Sequence, residues 1–425
     1  MARSMTRARR PAGSGAVIWI ASLTAGILTS GMQGIVPAIP AIRDHFGLSN
    51  FEIGLITGIY LLPGVFSAFA AGLIAERIGD RKVVVGGLLI FGLGGGLLLV
   101  AHDLGTLLAV RFIQGIVFGA LLSMTVGIIG SVAPTGKAAH RGQSRRIVAM
   151  AASEALFPIA GGFMLALAWY APFGMQLLAL PIAIGAWIIL PEARERSRRD
   201  AETVPEQSIW KAPAIVGVQI LAAARFIFKF AVLTYAPVLA VDQVGMSAAL
   251  LGQLIGVSSV LAAATALQSE RLAHRLRSAE MIVGCMLLIT VSLVLIGWAN
   301  SVVVVAIGLL LYGAQDGVYG VAHNVLANEM APPGARMAYV GLTGTVRNIG
   351  KFMAPLTFGA ISLALPISGT FFVFAGVAVA GAVVARGVAG RQKALESSEA
   401  TTTATDGVDG VATTTTDGVD SKDSG

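Results

Sequence analysis

The sequence predicts an all-α membrane protein in which twelve membrane-spanning helices form two six-helix bundles. Three observations predict it: a composition too apolar for a water-soluble fold, twelve apolar stretches of membrane length, and basic residues confined to alternate loops. Of 425 residues, 55% are hydrophobic and 12% charged, and the mean hydropathy is +0.79. A soluble domain carries about a quarter charged residues, so this much apolar surface has to face lipid. The single cysteine, Cys285, excludes an intramolecular disulfide.

The apolar stretches run over residues 16–39, 51–75, 83–101, 104–132, 147–169, 175–190, 212–241, 250–267, 281–299, 302–325, 339–363 and 367–388. Each is near the ~20 residues a helix needs to cross the hydrocarbon core. The break at Pro172 and Gly174 between the fifth and sixth is short enough for a single re-entrant hairpin to look similar. The basic run within Met1–Arg10 precedes an apolar stretch longer than a signal-peptide core, and eleven similar stretches follow, which argues for a first span.

Lysine and arginine concentrate in cytoplasmic loops. With the N-terminus inside, 24 of the 30 fall in inner loops and tails, counting Arg386 at the inner end of the last span, and only Arg43 falls in an outer loop. The other five, Arg111, Arg225, Lys229, Arg347 and Lys351, lie inside spans. The alternation supports an even number of spans with both termini cytoplasmic. It also assigns the net charge of +7 to the membrane surface, with no nucleic-acid partner.

Residues 1–15 therefore form a basic cytoplasmic N-terminus, 16–190 the first bundle, 191–211 a cytoplasmic linker, 212–390 the second bundle and 391–425 a cytoplasmic tail. From Ser397 onward the chain repeats Thr-rich and Asp-Gly-Val units, a composition expected to be disordered.

Between spans 2 and 3 lie Gly72, Glu76, Arg77, Gly79, Asp80, Arg81 and Lys82. A glycine for close helix approach, an acid at the helix end and a turn glycine before a basic anchor suit a gating loop. The loop resembles the signature loop of the major facilitator superfamily, with Glu76 where the family usually has aspartate and Asp80 where it often has arginine. Span 4 carries Arg111 followed by Gln114-Gly115 and Gly119, similar to the same family's span 4 motif; Gly115 and Gly119 form a small-xxx-small packing face. Span 5 carries Glu154, Pro158, Gly161 and Gly162. It resembles the span 5 motif of drug:proton antiporters, except that Phe157 replaces the glycine before the proline.

The second half repeats the first loosely. Glu270, Arg271 and Arg275 follow span 8 as a worn copy of the first loop. Gln315-Asp316-Gly317 in span 10 echoes the Gln-Gly step of span 4. Glu154 precedes Pro158 in span 5 by four residues, as Lys351 precedes Pro355 in span 11, so equivalent helices carry a charge at one matching position.

No enzyme constellation is present. The glycine run 92–96 lacks dinucleotide-loop spacing, and His45, His102, His140, His274 and His323 are scattered without metal-ligand spacing. The sequence implies no cofactor and no metal.

The resemblance implies the major facilitator fold, with spans 1, 4, 7 and 10 lining a central cavity. It also implies a cell-membrane secondary transporter acting as a monomer by alternating access. Candidate substrate contacts are Arg111, Arg225, Lys229, Asp316, Arg347 and Lys351; candidate proton-coupling groups are Glu154 and Asp316; candidate gating residues are Gly72, Glu76, Arg77, Gly79 and Arg81. Arg225 and Lys229, like Arg347 and Lys351, are spaced i, i+4 on one helix face. Five interior bases face two acids, a surplus that an anionic group would relieve. Gln33 and Asn348 add hydrogen-bonding capacity, and Tyr60, Tyr235, Tyr312 and Tyr319 are expected mainly to pack. Proton-coupled export of small organic molecules is the leading expectation, with protons as the coupling ion. Import or exchange of an organic anion and a non-transporting membrane receptor are the alternatives.

Overall fold

The computed structural model describes residues 13–133, 136–191, 213–331 and 336–412. The basic N-terminus up to residue 12, nearly all of the expected linker and the tail beyond 412 lie outside the described residues.

Span 1 is α1 (Ser14–Gln33), a 3-10 turn at Val36–Ala38 and α2 (Ile39–Phe46). The prolines at 37 and 40 remove backbone donors, and the helix breaks there. Span 2 is α3 (Asn50–Leu61) and α4 (Gly64–Ile78), divided at Pro63. Its start is a capping box: Ser49 accepts from the Glu52 backbone N–H, and Glu52 accepts from the backbone N–H of Ser49. Then follow α5 (Asp80–Leu97), α6 (Leu104–Val132), α7 (Gly136–Met164), a 3-10 segment at Ala171–Leu178 and α8 (Ala179–Ile189). Asp103 caps α6 by accepting from the Thr106 N–H at 2.8 Å, and the Thr106 side chain together with that N–H holds its carboxyl below the usual carboxylate range. The second half comprises α9 (Pro213–Val244), α10 (Ala248–Ala273), α11 (Ser278–Gly297), α12 (Val302–Glu329), α13 (Arg336–Ile361) and α14 (Ile367–Ala412).

Ten helical segments among the described residues are long and apolar enough to cross a membrane. The more polar α5, with Asp80, Arg81 and Lys82, and α13, with Arg347 and Lys351, complete the twelve. Spans 5 and 6 are separate helices, so the re-entrant hairpin is not formed. Two boundaries differ from expectation. Helix α7 begins near residue 136, because Arg141, Arg145 and Arg146 are good helix formers that carry it past the apolar stretch. Helix α14 runs on to Ala412, past residue 391 where the tail was expected to begin and into the segment from Ser397 whose composition suggests disorder: Gln392, Lys393, Ala394, Leu395 and Glu396 favour helix and extend one already nucleated in span 12.

Helix pairing shows the repeat. In the first half α1 packs on α7, α4 on α6 and α5 on α8; in the second α9 packs on α13, α10 on α12 and α11 on α14. These are equivalent pairs, spans 1·5, 2·4 and 3·6 against 7·11, 8·10 and 9·12. The halves meet through α3·α13 and α7·α10, again a symmetric couple.

An even number of spans leaves the start of α1 and the exit of α14 at one end, the terminal end. The closest approaches between halves lie toward the other, distal end. There a Cβ on Gly162 would collide with the Ala248 carbonyl and one on Gly252 with the Pro158 carbonyl, so only glycine permits the α7·α10 contact. In the α3·α9·α13 seam the Tyr235 hydroxyl donates to the Pro355 carbonyl at 2.8 Å and lies 3.0 Å from that of Asn50. The molecule is closed at its distal end.

Candidate functional site

Pro158 and Pro355 lie inside α7 and α13. A proline cannot donate to the carbonyl four residues earlier, so the backbone oxygens of Glu154 and Lys351 lose that bond. Both charged residues sit at these weakened turns.

The centre of the site is Asp316 of α12, which is 6% exposed. Arg225 Nε donates to its Oδ1 at 2.9 Å, Arg225 also donates to its backbone carbonyl at 3.1 Å, and Lys229 Nζ donates to Oδ2 at 3.1 Å. The i, i+4 spacing of Arg225 and Lys229 places both bases on the face of α9 that turns to α12. Lys229 also reaches Glu154 Oε2 at 3.6 Å. Asp316 and Lys229 belong to one half and Glu154 to the other, so this single ammonium is shared across the interface.

A pocket of about 50 Å³ beside the pair is lined by Glu154, Lys229, Asp316, Gln33, Tyr312 and residues of α10. Its size admits water-sized occupants. Gln33 Oε1 is buried there without a hydrogen-bond partner among the described residues. An orphaned polar atom in an interior is costly, so this oxygen is one that a solute or water would satisfy.

Two expected bases stand beside this centre without a carboxylate among the described residues. Lys351 Nζ donates to Asn348 Oδ1 at 3.0 Å and lies 4.9 Å from the Phe226 ring centroid. Arg347 donates to Asn324 Oδ1 at 2.6 Å and to His323 Nδ1 at 3.0 Å, while His323 Nε2 donates to the Val218 carbonyl at 3.0 Å. Those partners fix His323 as the neutral tautomer with its proton on Nε2. The interior surplus of positive charge therefore falls largely on the second half.

Arg111, a candidate substrate contact, stands apart from this centre. It is buried, donates to the Gly31 carbonyl and lies 4.0 Å over the Tyr60 ring, with no carboxylate partner among the described residues. It lines a separate small pocket toward the distal end with Arg43, Thr57 and Phe173. The position two turns into α6 turns the guanidinium to the α1 backbone, where a carbonyl and an aromatic face receive it. The neighbouring motif residues pack: Gln114 donates to the Phe91 carbonyl at 3.0 Å and to Gln176, and Gly115 abuts the Tyr60 carbonyl.

The candidate gating loop after span 2 makes a contact within its own half. Gly79 adopts φ 91°, a left-handed turn suited to glycine. That turn sends Arg81 back over the Trp187 ring of α8 at 4.5 Å, within its own half. Glu76 and Arg77 are exposed, Glu76 has no ion pair among the described residues, and Gly72 lies half-buried on α4.

Sequence reasoning missed a second link between the halves. Arg43 at the end of α2 donates to both carboxylate oxygens of Asp242 on α9, at 2.5 and 2.7 Å. Its signal was the isolation of Arg43 as the lone base on the expected outer side. Replacing Arg43 with glutamine is expected to loosen distal closure by a few-fold, since bidentate pairs at a partly exposed site contribute up to about 1 kcal/mol. The check is solvent accessibility of a cysteine placed at Val238, buried with Ile39 and Ile53 in the distal seam, which should rise in the variant.

Two helical bundles that meet around buried charges, one of them shared between the halves, define a membrane transporter. Residues 18–355 match the Major Facilitator Superfamily, and the chain belongs to that family. It is 25% identical over 362 residues to the multidrug efflux protein YfmO of Bacillus subtilis, covering 81% of this chain and 86% of that one. It is 23% identical to the glucose transporter GlcP of Staphylococcus epidermidis, covering 85% and 91%. The crystal structure of a mutant of the nucleoside transporter NupG superposes with a TM-score of 0.73 at 10% identity, covering 88% and 99%. The protein is thus a multi-pass transporter of the major facilitator fold and not an enzyme.

Proposed function

We propose that the chain exports small organic molecules bearing an anionic group across the cell membrane, driven by protons and working by alternating access as a monomer. The terminal end is then cytoplasmic, and the structure is the state closed to the outside. The observation that carries the reading is Lys229 held between Asp316 of its own half and Glu154 of the other. Protonating Glu154 removes one side of that bridge and frees the halves to separate, while an anion arriving at Lys351 and Arg347 meets the uncompensated charge. When Asp316 takes a proton, Arg225 joins them. The partial likeness of span 5 to drug:proton antiporters and the similarity to YfmO support export.

Glu154→Gln tests the coupling. The variant is expected to lose proton-driven accumulation in everted vesicles by at least about tenfold and to show a flat pH profile, while counterflow exchange persists. An unchanged pH profile overturns the role of Glu154. Matched anionic, neutral and cationic substrates test the substrate class: preference for cations, unaffected by Arg347→Gln, overturns the anionic reading. Uptake or exchange of an organic anion would use the same basic surplus, and depletion rather than accumulation in everted vesicles identifies it.

A further inference from the structure

On the face of α7 turned away from the charged centre, Arg141, Arg145, Val148, Ala152 and Leu156 follow one another at i, i+3 or i+4 spacing. With Trp19, Leu23 and Ile27 of α1 and Leu178, Pro181 and Ile182 around the start of α8, this face encloses a lateral cleft of about 730 Å³. Its walls are apolar along most of their length; Val148 is 66% and Leu156 64% exposed. The polar groups gather at the terminal end, where Arg141 and Arg145 stand one turn apart beside Ser144, and the Arg145 guanidinium lies 5.4 Å over the Trp19 ring.

This distribution matches one class of molecule. A helix rise of about 1.5 Å per residue puts Leu156 roughly 16 Å from Arg145, close to one leaflet of a hydrocarbon core about 30 Å thick. The bases sit at the depth of a headgroup and the cleft below them at the depth of an acyl chain. An indole beside a guanidinium is the pairing favoured at the membrane interface. We propose that the cleft between α1, α7 and α8 is a binding site for an anionic phospholipid, its phosphate on Arg141 and Arg145 and an acyl chain along Leu23, Val148 and Leu156. The cleft is bounded by α1 and α7, whose other faces carry Gln33 and Glu154. A lipid wedged there holds these two helices together and sets the lipid dependence of the transporter.

The test uses the full chain in nanodiscs of phosphatidylcholine with rising fractions of brominated phosphatidylglycerol. Trp19 is one of five tryptophans, so its quenching is taken as the difference between wild type and Trp19→Phe. Trp19 should quench at a low fraction of the anionic lipid. In the Arg141→Gln/Arg145→Gln variant, the fraction giving half quenching should rise by roughly fivefold per arginine, about 25-fold in all. Ala152→Phe, which fills the cleft and keeps both bases, should remove the saturable quenching. Equal quenching by brominated phosphatidylcholine, an unmoved midpoint in the double variant, or full quenching in Ala152→Phe would each overturn the proposal.

Discussion

Replacing Asp316 with asparagine is expected to abolish transport and to lower the stability of the purified protein more than any other single change in the interior. The carboxylate accepts from Arg225 and Lys229 together, and its removal leaves two cations four residues apart on one helix face. Removing one partner of a buried ion pair costs about 3–5 kcal/mol, because the remaining charge stays buried without compensation. Asp316→Glu keeps the charge but lengthens the arm, so it should restore stability more fully than turnover. Combining Asp316→Asn with Lys229→Met removes part of the repulsion and should recover stability without transport. Thermal unfolding in detergent and counterflow in liposomes at equal protein amounts report the two properties separately. Wild-type counterflow in Asp316→Asn would show that the ion pair is scaffolding and not part of the site.

A comparable loss is expected from Gly252→Leu, by a different route. A Cβ at this position collides with the Pro158 carbonyl and lies 3.3 Å from Gly162 Cα, so backbone and not a yielding side chain meets it. The contact belongs to the distally closed state, whereas separating the halves removes it. The substitution therefore penalises one state selectively. Overpacking of about 1–3 kcal/mol corresponds to a shift of about 5–150-fold toward the distally open state, with turnover falling accordingly. Spin labels at the distal ends of α7 and α10 should report a longer distance in the variant. An unchanged distance distribution would place the closure elsewhere, in the seam of Tyr235 or in Arg43–Asp242.

Much of the site was legible because burying a charge in a membrane is expensive enough to mark it. Glu154, Arg225, Lys229, Asp316, Arg347 and Lys351 stood out inside apolar stretches, and their shared helix faces followed from i, i+4 spacing. The proline four residues after Glu154 and Lys351 showed that equivalent turns of the two halves were involved. Arg111 stood out for the same reason, yet its partner is a backbone carbonyl, a group every residue carries and no sequence can single out. Gln33 gave no distinctive signal, since its importance lies in an oxygen without a partner among the described residues.

By itself the sequence determined the number of spans, the two-bundle architecture, the limits of α6 and the identity of the interior charges. These depend on hydrophobic length, on helix periodicity and on the cost of charge in lipid, all local properties of the chain. The tertiary structure alone decided which charges meet. Asp316 pairs with residues 91 and 87 positions away, and Arg43 with one 199 away, according to the rotation of each helix about its axis and the depth at which neighbours cross. It also decided that the distal end is closed and that Lys229 is shared between the halves. Those outcomes rest on the packing of glycine faces across the interface, which an individual helix sequence permits but does not specify.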